Sequence, residues 1–372
     1  MWKPFPKWQR QKTSKMLGRL HSPQAVRLSR LRRLLRKVDT AGWLISSKEN
    51  IVYLTGLTGE AVADRQAYLL VAPKIELLLA SPLSQLKPKL RLRKRQFSSK
   101  KTVSEFIKEL GVKTLAVEET DLTIQEVRQL KTRLKGITLV DGQRRVENLR
   151  LVKDATEQKW LKRSAKIASL VMKQAIANLR EGVTETAVAH AISQLMLQAG
   201  ANEMSFPPIV AFGSHSAVPH QVPTGRRLKQ NEVVLIDLGA KVNDYCSDMT
   251  RTIFWAGSPT PEFRRVEIIV KQAYRTALTT LANGKTTAAK VDAAARKVIS
   301  QAGFGDNFIH NTGHGIGLSI HEDPSLSARD STKLVSGMVV TVEPGVYIPG
   351  KFGYRFENTI MITNRGFRTL TS

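Results

Sequence analysis

Four acidic residues and one histidine occupy positions where an ionisable side chain is unfavourable unless a cation compensates it. Asp237 ends a run of four aliphatic residues, and Asp248 follows it by eleven positions. Glu343 comes directly after a valine-rich run, Glu357 lies shortly before an Ile-Met-Ile segment, and His314 lies among glycines. Burial of an unpaired charge is costly, and carboxylates together with an imidazole are suitable ligands for a divalent metal. This pattern predicts a metal centre.

Each of these residues has an ordinary structural explanation when it is taken alone. An aspartate at a strand end is usually a turn or capping residue, and a histidine among glycines is more often structural. The five residues together are harder to explain in this way, because all of them suit one oxygen-rich site for two ions. The combination therefore favours a dinuclear centre.

The elements predicted around these residues place them in one domain, residues 149–372, which follows a break near residues 141–151. Apolar periodicity predicts helices over 156–180, 184–199, 262–281 and 287–301, and strands over 208–212, 232–237, 249–255, 338–342, 346–348 and 357–363. The repeated order of a helix pair followed by strands suggests a duplicated fold.

The preceding residues, 24–148, read as a separate α/β domain. The pattern predicts a helix from Gln24, strands over 43–46, 68–72, 76–80, 114–117 and 138–140, and helices over 103–110 and 124–134. Alternation of strands and helices predicts a mixed or parallel sheet with flanking helices. No catalytic group of residues is visible in this domain.

The motifs around the five residues resemble those of the pita-bread metallopeptidases, in the branch of Xaa-Pro dipeptidases (prolidases) and aminopeptidase P. The matching segments include Ser-Phe-Pro-Pro-Ile-Val-Ala from 205, Pro-His at 219–220, Val-Leu-Ile-Asp-Leu-Gly-Ala from 234, Tyr-Cys-Ser-Asp-Met-Thr-Arg-Thr from 245, His-Asn-Thr-Gly-His-Gly-Ile-Gly-Leu from 310, Ile-His-Glu-Asp-Pro from 320, Val-Glu-Pro-Gly-Val-Tyr from 342 and Arg-Phe-Glu-Asn from 355. Residues 49–56 match more loosely. The resemblance implies an α/β N-terminal domain plus an α+β pita-bread (creatinase/aminopeptidase-like) catalytic domain.

The resemblance also implies a metal-binding role for each of the five residues. Asp237 would be the bidentate ligand of one ion, while Asp248 and Glu357 would bridge two ions. His314 and Glu343 would complete the shell of the second ion. The expected cofactors are two divalent ions per subunit, manganese first on hard–soft grounds, with cobalt or zinc as alternatives.

Further matching residues would act on the substrate, a short peptide with proline in second position. Glu343 would be the general base, and His220 and His321 would steady the substrate and the tetrahedral oxyanion. His310 and Arg355 would line the proline and carboxyl side of the pocket. Relatives of this kind also imply a homodimer.

Two alternatives stay open from the sequence. A methionine aminopeptidase or another hydrolase of the same fold would share the ligands, and activity on Met-Ala peptides would identify the former. A non-catalytic binding protein of this fold would typically lack several ligands, whereas this chain has all five. One departure from the family is Asn358, which stands where an aspartate is usual and is expected to alter the tuning of the site.

The net charge of +27 is concentrated in the first part of the chain. Residues 1–150 contain 32 basic and 13 acidic residues, and residues 1–37 contain 12 basic residues and no acid. The simplest explanation is a disordered extension over residues 1–23 and a solvated loop at the basic run 87–95. Contact with nucleic acid is an alternative without a supporting motif. The single cysteine, Cys246, and the lack of a long apolar stretch predict a cytoplasmic protein with no membrane span.

Overall fold

The computed structural model describes residues 22–37, 42–57, 65–73, 75–84, 88–90, 92–282 and 284–372. The chain divides into two compact units, Met1–Arg150 and Leu151–Ser372. The extension predicted for residues 1–23 lies outside the described residues except for its last two positions. Within the described part of the chain, no helix combines the length and the apolar character needed to cross a membrane.

The first unit is a mixed six-stranded sheet with helices. The sheet has the order β4-β3-β2-β1-β5-β6, in which β1, β5 and β6 run parallel and β1 to β3 form an antiparallel meander. Its elements are α1 (Pro23–Lys37), β1 (Gly42–Ile45), α2 (Lys48–Thr55), β2 (Ala67–Ala72), β3 (Ile75–Ala80), β4 (Arg93–Gln96), α3 (Val103–Glu109), β5 (Thr114–Val117), α4 (Ile124–Arg133), β6 (Thr138–Asp141) and α5 (Arg145–Arg150).

The expectation of a loop at the basic run is wrong for its last part. Strand β4 pairs in parallel with β3, and all four of its residues are exposed. Backbone pairing explains this strand, which has no apolar alternation by which the sequence could reveal it. Charged side chains on an edge strand also oppose unwanted pairing with another chain.

The second unit contains two main antiparallel sheets and two helix pairs. The sheets have the orders β12-β9-β8 and β14-β13-β15-β18-β19. Its elements are α6 (Ala155–Ala177), α7 (Glu185–Gln198), β7 (Glu203–Met204), β8 (Ile209–Phe212), β9 (Glu232–Leu238), β10 (Ala240–Val242), β11 (Tyr245–Cys246), β12 (Met249–Trp255), α8 (Pro261–Ala282), α9 (Ala288–Gln301), β13 (Gly313–Gly315), β14 (Glu322–Leu326), β15 (Val339–Val342), β16 (Gly345–Ile348), β17 (Phe352–Arg355), β18 (Asn358–Thr363) and β19 (Gly366–Thr369).

Each helix pair covers one face of a sheet. One apolar core joins α6 and α7 to β8 and β9, and a second core joins α8 and α9 to β15 and β18. Local capping starts these helices: the side chain of Asp154 accepts hydrogen bonds at the start of α6, and Thr184 does the same for α7. The repeated helix-pair and sheet arrangement leaves the opposite face of each sheet available for a site.

Two glycines allow the backbone to pass closely around His314. A Cβ atom at Gly313 would lie 2.1 Å from the carbonyl oxygen of Thr341, and one at Gly315 would lie 2.2 Å from that of Asp323. Any side chain at these positions would push β13 away from its neighbours. The glycines therefore fix where β13 presents the imidazole of His314.

Candidate metal centre

Strand alternation points the candidate acids away from the helices. On β9, Val234, Ile236 and Leu238 belong to the core with α6 and α7, so Asp237 faces the other side of the sheet. On β18, Ile360 and Ile362 pack into the core with α8 and α9, so Glu357 has the opposite orientation. The apolar and acidic residues of each strand thus divide between core and site.

The five candidate ligands lie together on these faces. One ligand atom from each of Asp248, His314 and Glu357 lies within 4.8 Å of the others. His314 Nε2 is 3.6 Å from Asp248 Oδ2 and 3.4 Å from Glu343 Oε1. The charge of Glu343 acts on Asp237, Asp248 and Glu357, which brings all five residues into one electrostatic group.

Three carboxylate oxygens in this group lack a hydrogen-bond donor. Among the described residues, Asp237 Oδ1, Asp248 Oδ1 and Glu357 Oε1 are buried and have no partner. A buried acceptor without a donor costs about 1–3 kcal/mol, and more when it is charged. A cation bound by these oxygens would satisfy all three, so the residues fit divalent metal ions.

The pKa shifts of the acids have the same physical cause. Burial raises the pKa of both Asp248 and Glu357 well above the usual range, and neighbouring carboxylates raise both further. Burial also raises the pKa of Asp237, although the charge of Arg355 acts in the opposite direction. Ionised acids at this spacing require added positive charge, which a divalent metal supplies.

Arg355 is buried beside the centre and uses its guanidinium in several directions. Its Nη2 donates to Asp237 Oδ2 at 2.7 Å, and its Nη1 donates to the hydroxyl of Tyr347 at 2.7 Å. The same Nη1 lies 3.3 Å from the carbonyl oxygen of Pro219, and Nε donates to Thr250 Oγ1 at 3.0 Å. Arg355 therefore connects an acid of the centre to the segment that carries His220.

The three other candidate histidines lie at the margin of the group. The rings of His314 and His321 are 4.3 Å apart, and the charges of both His314 and His220 act on His321. His310 Nε2 is 2.9 Å from the hydroxyl of Tyr347. Burial lowers the pKa of His310 and of His321, which favours neutral imidazoles near pH 7.

Three residues that sequence reasoning did not single out support the centre. Tyr347 lies between His310 and Arg355, and burial raises its pKa to about 12. Thr250 Oγ1 donates to Glu357 Oε2 at 2.7 Å, and Thr341 Oγ1 donates to Glu343 Oε1 at 3.2 Å. The only sign of these three residues in the sequence is that each is a polar side chain within a largely apolar strand.

Asn358 faces the helices and not the acids. Its Nδ2 donates to the hydroxyl of Tyr274 on α8 at 2.9 Å, and its Oδ1 accepts from Arg251 Nη2 at 2.8 Å. Arg251 Nη1 also donates to the carbonyl oxygen of Glu357 at 2.6 Å. One route by which Asn358 can affect the centre is therefore through Arg251 and the backbone of Glu357.

Comparison with known families agrees with this geometry. The model described as Metallopeptidase family M24 matches residues 159–364, and the model described as Creatinase/Prolidase N-terminal domain matches residues 27–152. The chain is 34% identical over 354 residues to the uncharacterized peptidase YqhT of Bacillus subtilis (strain 168), covering 93% of this chain and 98% of that one. An uncharacterized peptidase of Staphylococcus aureus (strain USA300) is 40% identical over 260 residues, covering 70% and 74% of the two chains.

Solved structures show the same similarity over both units. An Xaa-Pro dipeptidase from Bacillus anthracis is 32% identical with a TM-score of 0.84, covering 94% of this chain and 98% of that one. The prolidase from Pyrococcus horikoshii OT3 is 32% identical with a TM-score of 0.86, covering 93% and 98%. The X-Pro aminopeptidase from Thermotoga maritima MSB8 is 30% identical with a TM-score of 0.85, covering 93% and 97%.

These matches confirm the predicted fold class, an α/β N-terminal domain with a pita-bread catalytic domain. They also confirm the expectation of a hydrolase whose activity depends on divalent metal ions. The chain belongs to metallopeptidase family M24.

Proposed function

We propose that the protein hydrolyses the peptide bond between an N-terminal residue and a following proline. The observation that carries this proposal is the convergence of five candidate ligands, three of which have a buried oxygen without a donor. The similarity to structures named as Xaa-Pro dipeptidase, prolidase and X-Pro aminopeptidase supports the substrate class.

The proposed ligands of two divalent ions are Asp237, Asp248, His314, Glu343 and Glu357. When bound, the ions would polarise the scissile carbonyl and make a water molecule acidic enough to act as nucleophile near neutral pH. The predominance of carboxylate ligands favours manganese, with cobalt and zinc as alternatives. The proposed domains are residues 24–148 and residues 149–372.

The protein's own groups account for the proton transfers and the orientation of the substrate. Glu343 accepts a proton from the attacking water and delivers it to the leaving proline nitrogen. The hydrogen bond from Thr341 Oγ1 to Glu343 Oε1 keeps that carboxylate oriented. His220 and His321 act as donors to the developing oxyanion. His310 and Arg355, which Tyr347 connects, define the proline side of the pocket.

Other parts of the proposal concern the setting of the enzyme. We propose a homodimer, as the resemblance implies. We also propose a cytoplasmic location, because the single cysteine, Cys246, is free and buried, and a reducing compartment does not favour disulfides. Contact of the basic N-terminal half with nucleic acid stays a prediction, for which the exposed residues of β4 provide charge but no motif.

The test uses the full chain, freed of metal with a chelator and then loaded separately with Mn²⁺, Co²⁺ or Zn²⁺. Hydrolysis of Ala-Pro, Ala-Pro-Ala, Ala-Ala and Met-Ala is compared, and bound metal is measured by elemental analysis. We expect metal-dependent cleavage of Xaa-Pro bonds. Comparison of the rates on Ala-Pro and Ala-Pro-Ala distinguishes a dipeptidase from an aminopeptidase. Faster cleavage of Met-Ala, or no cleavage by a metal-loaded preparation, would overturn the proposal.

A further inference from the structure

Glu185, at the start of α7, is a buried acid outside the candidate metal centre. Its side chain has 0% exposure. The residues that it contacts are distant from it in sequence. Oε1 accepts from the backbone N–H of Phe212 at 2.9 Å, and Oε2 accepts from the N–H of Thr224 at 3.0 Å and from its hydroxyl at 2.7 Å. One carboxylate thus binds the residue that precedes the segment 213–224 and the residue that ends it.

His215 supplies a further contact inside that segment. Its Nδ1 lies 2.9 Å from Glu185 Oε1 and 3.1 Å from Oε2. An ionised carboxylate only accepts hydrogen bonds, so His215 donates from Nδ1. The backbone N–H groups of Phe212 and Thr224 can only donate, so an ionised carboxylate, which only accepts, is the group that satisfies them.

The segment held in this way reaches the candidate centre. It carries His220, and the carbonyl oxygen of Pro219 accepts from Arg355 Nη1 at 3.3 Å. Its middle is packed against β17: the N–H of Gly353 donates to Ser216 Oγ at 2.9 Å, and a Cβ at Gly353 would lie 2.0 Å from the carbonyl oxygen of Ser216. The contacts along this segment therefore determine where His220 lies relative to the acids.

The returning end of the segment is fixed to the same part of α7. The N–H of Thr186 donates to the carbonyl oxygen of Thr224 at 3.1 Å, and the N–H of Glu185 donates to that of Arg226 at 3.1 Å. These backbone contacts hold residues 224–226, so the side chain of Glu185 is what links them to Phe212 and His215. Phe212 is itself held by the pairing of β8 with β9, so a change at Glu185 would remove the link between the two ends and His215 while the backbone anchors stay.

We propose that Glu185 is a positioning residue that holds the segment 213–224, and with it His220, in the place required for the reaction. This inference rests on the proposed function. Glu185 touches neither the candidate ligands nor the substrate side of the pocket, so it acts on turnover through the segment and leaves metal uptake unchanged. Misplacement of about 1 Å in a reacting arrangement can lower a rate about 100-fold.

The central experiment compares Glu185→Gln with wild type in the presence and absence of His220→Ala. Glutamine keeps the size of the side chain, but its amide nitrogen faces donors on one side, either Phe212 and His215 or Thr224. We expect kcat/KM on Ala-Pro to fall about 10- to 100-fold with bound metal unchanged. In the His220→Ala background the same substitution should lower kcat/KM less than about threefold, because the group that it positions is gone.

Controls separate positioning from general damage. Glu181→Gln changes a nearby exposed glutamate that bonds the side-chain amide of Gln230, and it should leave kcat/KM unaltered. Thr224→Val removes one donor to Glu185 without altering the acid, so it tests the contact even if Glu185→Gln does not fold. Equal losses with and without His220, or an unaltered kcat/KM in Glu185→Gln and Thr224→Val, would overturn the inference.

A readout independent of turnover distinguishes failure of this inference from failure of the proposed function. Hydrogen exchange in the metal-loaded protein should become faster in peptides covering 213–224 of Glu185→Gln, while β12 and β18 keep their wild-type protection. A wild-type protein inactive on Xaa-Pro substrates would end the proposed function. The exchange pattern would still decide the inference, since unchanged protection over 213–224 would contradict it.

Discussion

Arg355 Nη2 lies 2.7 Å from Asp237 Oδ2, and the exposed fractions of the two residues are 3% and 7%. Among the described residues, neither Asp248 nor Glu357 has an ion pair with a lysine or arginine. The candidate centre therefore contains one acid paired with a permanent cation of the protein and further acids for which the proposed metal ions would supply the compensating charge. We therefore expect Arg355 to affect the stability of the metal-free protein and Asp248 to affect the stabilisation that metal gives.

Replacement of Arg355 by methionine should lower the stability of the metal-free protein. It leaves Asp237 buried without its cation and removes the donors to Tyr347 and Thr250, which predicts a loss of about 3–5 kcal/mol in the free energy of unfolding. Urea denaturation in the presence of a chelator measures this. Lys351→Met is the matched control, because its pair with Glu262 is exposed and is worth about 1 kcal/mol or less. Equal losses in the free energy of unfolding of the two variants would contradict the stabilising role of the buried pair between Arg355 and Asp237.

Substitution of Asp248 by asparagine should remove the stabilisation that metal gives. For a ligand that binds only the folded state, stabilisation is about 2.7 kcal/mol at 100 times the dissociation constant. Wild-type protein should therefore melt at a higher temperature in Mn²⁺ than in chelator, whereas Asp248→Asn should show little difference. Differential scanning calorimetry provides the comparison, with the exposed Asp306→Asn as control. A full metal-dependent shift in Asp248→Asn would exclude this residue as a ligand.

Removal of the Tyr347 hydroxyl should affect both stability and turnover. Tyr347→Phe leaves His310 Nε2 and Arg355 Nη1 without their shared partner, and a lost buried hydrogen bond costs about 1–3 kcal/mol. If the same interaction is needed during turnover, kcat/KM should fall about 10- to 100-fold. Steady-state kinetics on Ala-Pro and urea denaturation give the two numbers. Wild-type kinetics would show that the hydroxyl has no part in orienting Arg355.

The first unit should become less stable as pH rises from about 4.5 to about 7. Burial raises the pKa of Glu118 to about 7, even though Ser46, Ser47 and Asn50 donate hydrogen bonds to it. The folded state then keeps a proton that the unfolded state has released, so unfolding becomes easier as pH rises and the dependence ends above about pH 7. The total change is on the order of 3 kcal/mol.

Hydrogen exchange in β1 and β5, corrected for the intrinsic effect of pH, measures this dependence. Glu118→Gln cannot titrate, so its protection should be flat over the same range. Glu119→Gln, on the next residue of the chain, is the control and should retain the wild-type slope. A slope that persists in Glu118→Gln would assign the dependence to another group.

Much of the second unit could be predicted because its strands alternate between core and site. Asp237 and Glu343 are visible in the sequence as acids attached to apolar strands, and the predicted strand 249–255 coincides with β12. The short strands β13 and β17 were not predicted. Their glycines allow neighbouring backbone to come close, and they give no apolar periodicity in the sequence. The role of Tyr347 was also missed, since only the folded chain brings it to Arg355.

Glu185 illustrates a different limit of prediction from sequence. An acid at the start of a helix is ordinarily explained by the helix dipole, and nothing in the local pattern indicates that it is buried. Its partners lie 27 to 39 residues away, at the two ends of a segment with little regular structure. Such a contact depends on how the segment closes, which residue types and spacing do not specify.

The ligands come from two different sheets. Asp237 lies in β9 and Asp248 directly precedes β12 of one sheet. In the other sheet, His314 lies in β13, Glu343 directly follows β15 and Glu357 directly precedes β18. Bound ions would therefore act as a cross-link between parts of the chain made early and late. Because Glu357 immediately precedes β18, a nascent chain cannot complete the site until its last strands are synthesised. On the proposed ligand assignment, full metal binding would follow the synthesis of Glu357, and chelation would loosen the contact between the two sheets before it unfolds either one.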